Sequence, residues 1–153
     1  MVGKENHRFP QSIMSSRIYS FIFLSVFIAA CSAKIEPVNI DKAQLRRTLR
    51  EHTYQFNFDL ILQLQGRGQK IGISALDVTV NDTYLGKSVI AAETEEIPAG
   101  RYPLPLRVTF PSSALVLTTP NIVKVSGTLV VNGKEKHIEF TDEDVQVLNM
   151  VVQ

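Results

Sequence analysis

From Tyr54 to Gln65 the chain alternates almost strictly between apolar and polar residues. Tyr54, Phe56, Phe58, Leu60, Leu62 and Leu64 share one parity, and Gln55, Asn57, Asp59, Ile61, Gln63 and Gln65 share the other. A period of two is the mark of a strand with one buried face. Gly66-Arg67-Gly68 then turns the chain. Ile71 and Ile73 keep one parity while Leu76, Val78 and Val80 take the opposite one, which predicts a bulge near Ser74-Ala75. Asn81-Asp82 is a turn candidate, and Tyr84 to Ala92 is extended again. Ile97-Pro98-Ala99-Gly100 breaks the pattern before a further alternation of Tyr102, Leu104, Leu106, Val108 and Phe110. Pro103 and Pro105 lie two apart, so both missing amide hydrogens fall on one side of that strand. This predicts a sheet edge, or pairing that starts late.

Val123, Val125, Leu129 and Val131 form another alternating strand around Gly127. Asn132-Gly133 is the strongest hairpin signal, because both central residues of a type I′ turn need positive φ. Ile138 and Phe140 lie on the return strand. Asp142-Glu143-Asp144 reads as an acidic turn before a last strand, Val145 to Val152. The stretch from Lys42 to His52 is open to two readings. Leu45 and Leu49 are spaced as on a helix face, with Asp41 as a cap, but Thr48, Thr53 and Tyr54 favour an extended segment. The expected fold is therefore all-β: an antiparallel β-sandwich of about seven strands, immunoglobulin/fibronectin III-like. Strands with one polar face argue against a membrane barrel, which turns apolar side chains outward.

The N-terminus has a different character. Lys4, Arg8 and Arg17 precede an apolar run from Ile18 to Ala30, about 13 residues long. That length fits a signal-peptide core and falls short of the ~20 residues of a spanning helix. Met14 opens a tidier signal than Met1, so either could be the start. Ile28-Ala29-Ala30-Cys31 closes the run with the chain's single cysteine, and it resembles a bacterial lipobox. The resemblance implies cleavage before Cys31, lipidation (palmitate among the acyl chains) and a membrane anchor outside the cytoplasm. Ser32, where retained lipoproteins carry aspartate, points to the outer membrane facing the periplasm. The other reading of Cys31 is a buried free thiol. The expected organisation is a signal peptide over 1–30, a tether over 31–36 and the sandwich over 37–153.

With Cys31 used, no thiol remains for a disulfide, so the body must hold by burial alone. Removing Lys4, Arg8, Arg17 and Glu5 from 16 basic and 15 acidic side chains leaves 13 and 14, a net charge of about −1. A near-neutral body argues against nucleic acid as a partner.

Four stretches resemble the late embryogenesis abundant type 2 family, the water stress and hypersensitive response domain. They are the long strand Phe56–Leu64, the strand and turn Ile73–Gly86, the Ile97-Pro98-Ala99-Gly100 turn, and Val125-Ser126-Gly127-Thr128-Leu129. The resemblance spans roughly residues 36–150. The resemblance implies a fibronectin-like sandwich with no catalytic residues and a stress-linked or envelope role. The family's usual Asn-Pro after the long strand is replaced here by Gln65-Gly66-Arg67-Gly68.

Chemistry is sparse. His7, His52 and His137 lack partners at ligand spacing, so no metal site is expected. Asp142-Glu143-Asp144 reads as a charged turn before it reads as a calcium loop. Ser112-Ser113 follows Pro111 without a glycine elbow. Lys42, Arg46, Arg47 and Arg50 form the one basic cluster, either a solvated stretch or a contact for anionic lipid near the anchor. No cofactor is expected. The expected function is a non-catalytic lipoprotein whose partners are the membrane and an envelope protein. The alternative is a carrier holding a lipid or other hydrophobic ligand between the sheets, suggested by the apolar face from Tyr54 to Leu64. An enzyme ranks last.

Overall fold

The structure is a computed structural model that describes residues 34–48, 52–66, 68–72, 75–90, 95–111 and 115–152. The expected signal segment, Cys31, Arg50 and Ser112-Ser113 lie outside the described residues. Ala33–Gln153 form one compact unit. Its strands are β1 (Lys34–Thr48), β2 (Thr53–Gln65), β3 (Ile71–Gly72), β4 (Ala75–Val80), β5 (Thr83–Ile90), β6 (Gly100–Pro111), β7 (Asn121–Val131), β8 (Lys134–Val145) and β9 (Leu148–Val152). There is no helix among the described residues.

The all-β expectation holds, but the arrangement differs from about seven antiparallel strands. All nine strands join one mixed sheet, in the order β3-β7-β4-β5-β6-β2-β1-β9, with β8 on β7. β3 and β4 both pair with β7, and residues 73–74 between them, where the bulge is expected, lie outside the described residues. Gly72 faces Val130 and Leu76 faces Gly127, which places one extra residue on the β3–β4 side. β1 extends from Lys34, taking in three residues of the stretch read as a tether, and Ile35 is buried. The Lys42–Thr48 stretch is extended rather than helical.

The alternation of β2 is realised along its length. Phe56, Leu60 and Leu62 are wholly buried, and Phe58 and Leu64 nearly so. Burying such a side chain stabilises by about 1.5–3 kcal/mol each. β2 pairs with β1 on one side and β6 on the other. The proline prediction for β6 resolves as late pairing. β5 meets β6 only at Val89↔Arg107 and Ile90↔Leu106, past Pro103 and Pro105.

Two features departed from expectation. The acidic residues Asp142–Asp144 do not form a turn; β8 runs through them, and its register with β7 slips by one residue between Asn121 and Val123. The bulge leaves Glu143 and Asp144 exposed, while Asp142 reaches β1. The Ile40 amide donates to Asp142 Oδ2 at 2.8 Å, and Lys136 Nζ donates to the Ile35 carbonyl. Side chains of β8 thus satisfy backbone groups of β1, and the sheet curls until these strands meet. The second departure is β9. After Gln146-Val147 the chain continues in the same direction but leaves β7 for β1, so β1 and β9 pair in parallel, Gln44↔Leu148 to Thr48↔Val152.

Both tight turns use left-handed residues, Asn81-Asp82 (φ 47° and 63°) and Asn132-Gly133 (φ 50° and 76°). Asn81 also ties the Asn81-Asp82 end of the sheet together. Its Oδ1 accepts from Ile122 N at 2.8 Å, and its Nδ2 donates to Val116 O at 2.8 Å and Asn121 Oδ1 at 2.9 Å. Asn121 is buried; its Oδ1 also accepts from Thr118 N at 2.8 Å and its Nδ2 donates to Val145 O at 3.2 Å. Replacing Asn121→Ala removes three hydrogen bonds and takes the donor from the buried Val145 carbonyl, so it should cost about 1–3 kcal/mol in urea denaturation. A loss below about 0.5 kcal/mol would show that these bonds do not hold that end closed.

Candidate functional site

In β1, β2, β6 and the end of β5, the residues that do not enter the core point outward from four neighbouring strands. Register aligns them in rows: Arg46 with Gln55 and Thr109, Gln44 with Asn57, Arg107 and Val89, and Asp41 with Asp59 and Pro105. A shallow groove of about 270 Å³ crosses this face between Lys42, Arg46, Asn57, Asp59 and Arg107. It continues toward Arg101 on one side and Lys87 on the other.

The basic cluster read from the sequence is only partly assembled here. Lys42 sits in a bulge of β1 with φ 51°, between Asp41↔Asp59 and Gln44↔Asn57. Its ammonium lies 3.4 Å from Asp59 Oδ2 and stays largely exposed. A pair so open to water is worth under about 1 kcal/mol. Arg46 is on the same face and donates to Gln44 Oε1 at 3.2 Å. Arg47 has the opposite parity. Its guanidinium lies 5.8 Å from the ring centroid of Tyr54, its register partner, and Tyr54 stacks on Phe110 at 5.7 Å. Arg47 therefore covers the end of the core and does not join Lys42 and Arg46. Arg50 lies outside the described residues.

The cations that replace them come from distant parts of the chain. Arg107 Nε donates to Asn57 Oδ1 at 3.0 Å, and an Arg101 nitrogen donates to Asn39 Oδ1 at 3.1 Å. Lys87 lies 3.7 Å from Asp77 Oδ1 on β4. Residues this far apart in sequence could have been grouped only by predicting the pairing of β6 with β2 and β5. The available signal was the outward parity of Arg101 and Arg107 on an alternating strand.

The other candidates do not converge. His52 stands in the turn before β2 and His137 on β8, both exposed. Asp142 spends both carboxylate oxygens on backbone amides, Ile40 N and Asp144 N. Among the described residues no three His, Cys, Asp or Glu side chains are grouped to hold a metal ion. The apolar face of β2 is taken up by the core.

Two titrating groups sense their neighbours. Lys34 Nζ lies 2.7 Å from Glu36 Oε1, and this hydrogen bond and charge hold the Glu36 carboxyl below its ordinary value of 4.5. The pair's contribution is present above that value and fades as pH falls through the lowered pKa. Tyr84 donates its hydroxyl to Asp77 Oδ1 at 2.8 Å, which raises the phenol above its ordinary 10.0. Tyr84 therefore favours the folded state below pH 10.0, and that contribution is lost as pH rises through the elevated pKa. Asp77→Asn should bring Tyr84 back toward 10.0 in a phenolate absorbance titration. An unchanged titration would remove Asp77 as the cause.

No family model matches the chain, and no curated protein is similar to it. Among solved structures it is similar to a protein from Archaeoglobus fulgidus known by its crystal structure. The two are 10% identical over 72% of this chain and 90% of that one, with a TM-score of 0.35. A likeness of that size carries no statement about function.

Proposed function

We propose that this protein is a lipoprotein of the bacterial cell envelope, held in the outer membrane on the periplasmic side through Cys31, whose β body works by contact and not by reaction. The observation that carries this reading is the order of segments. A basic start, a short apolar run and Ile28-Ala29-Ala30-Cys31 are followed, from Lys34, by a sheet with its own core. Envelope proteins and the bilayer itself are the partners this reading supplies.

The curled sheet is read as a fibronectin-like sandwich of the late embryogenesis abundant type 2 kind, with its seam where β5 and β6 share only two register pairs. A stress-linked role goes with that reading. The carrier alternative would need an apolar opening between the layers, whereas the described groove is lined by Lys42, Arg46, Asp59 and Arg107.

Intact mass of the membrane-extracted protein tests the anchor. The expected species begins at Cys31 and carries acyl chains, and Cys31→Ser should move the protein out of the membrane fraction. An unprocessed, unacylated chain, or a Cys31→Ser protein that stays equally with the membrane, would overturn the reading.

A further inference from the structure

We infer that the outer face of β1, β2, β6 and β5 is a docking surface for an anionic phospholipid bilayer, so that the body lies on its side along the membrane. The inference rests on the lipid-anchor reading and adds an orientation and a set of contact residues to it.

Charge is nearly balanced over the whole body but is divided between its sides. The four strands of this face turn outward Lys34, Lys42, Arg46, Lys87, Arg101 and Arg107 against Glu36, Asp41 and Asp59. On β4, Asp77 pairs with Lys87 at the border of this face, and beyond it β7 and β8 turn outward Glu135 and Glu139 against Lys124 and, at the turn, Lys134. An anionic surface therefore attracts the first side more than the second. Each cation brought close to anionic headgroups adds to the attraction.

Chain length selects the bilayer as the occupant. β1 begins three residues after Cys31, a reach of about 10 Å of extended chain. An acylated sulfur would therefore hold the first residue of this very face at the headgroups. β1 then runs along the face, and Arg46 lies twelve residues beyond Lys34, roughly 40 Å at strand rise. A body standing on its tether would carry Lys42 and Arg46 away from the membrane; lying down brings them to it. The face also presents exposed Leu148 beside Gln44 on one flank and exposed Val89 beside Arg107 on the other. Apolar side chains beside cations suit the boundary between headgroups and acyl chains.

The test uses the full acylated protein in vesicles. Its one natural cysteine is blocked by the lipid, so an introduced thiol takes the label alone. A fluorophore is placed at Gln55→Cys on the basic face or at Thr141→Cys on β8. Acrylamide quenching is then compared in phosphatidylglycerol-rich and pure phosphatidylcholine vesicles. The Gln55→Cys label should become about threefold less accessible in the anionic vesicles only, and about 0.5 M salt should reverse the change. The Thr141→Cys label should not respond. Arg46→Glu with Arg107→Glu should abolish the protection, and the salt reversal stands as evidence even if that double variant folds poorly.

Equal quenching in both vesicle types, with the protein bound to both, would overturn the docking face and leave the anchor intact. Protection at Thr141→Cys instead would assign the opposite side and overturn it as well. A protein whose mass shows no acyl chain and that binds neither vesicle would overturn the anchor. An unacylated protein protected at Gln55→Cys by anionic vesicles would support the face without the anchor. Vesicle-independent capture of an envelope protein that shields Gln55→Cys would replace the bilayer with a protein partner and overturn the proposal.

Discussion

Burial on one side of a single hydrogen-bonded sheet is the constraint from which the rest follows. Without a disulfide or a helix to cover it among the described residues, the apolar side of the sheet can be hidden only by the sheet itself. β2 sets the terms. Its inward residues are large and consecutive in parity, and a register slip of one residue would turn all of them to water. Strands on both sides are thus held in register, and the sheet must curl until its apolar side is enclosed. Bulges at Asp41–Gln44, in β5 near Gly86 and at the end of β8 supply the bending.

Enclosure leaves an edge problem, and it is solved with side chains. β1 cannot pair with β8 through backbone alone along its first half, so Asp142 and Lys136 reach across to the Ile40 amide and the Ile35 carbonyl. Beyond that point β9 takes over as a parallel partner. At the Asn81-Asp82 end, Asn81 and Asn121 do comparable work with amides. Gly127 has no room for a side chain beside its neighbour β4: with φ 143°, a Cβ there would meet the Ala75 carbonyl and Leu76 Cδ2 at 3.1 Å.

The all-β character, the long strand β2, both asparagine turns and the late pairing of β6 were legible in the sequence, since each is a local event with a local signature. The parallel β1–β9 pair and the continuity of the sheet were not, because periodicity says which face a residue takes and nothing about which strand lies beside it. The same limit explains the basic site. Lys42 and Arg46 could be seen together; Arg47 was grouped with them although parity sends it to Tyr54; Arg101, Arg107 and Lys87 join only through pairings between distant segments. The acidic triplet misled for a further reason. Three adjacent carboxylates look like a solvated turn until a neighbouring strand supplies an unpaired amide.

Hydrogen–deuterium exchange resolved to single amides tests this account most directly. If one curled sheet hangs on β2, the amides of Phe56, Phe58, Leu60 and Leu62 should exchange only on global unfolding, and the Ile40 amide should be protected only while Asp142 is present. β9, a short strand with one bonded neighbour, should open first. Amides of β2 exchanging as fast as those of β9, or an Ile40 amide indifferent to Asp142→Ala, would contradict it.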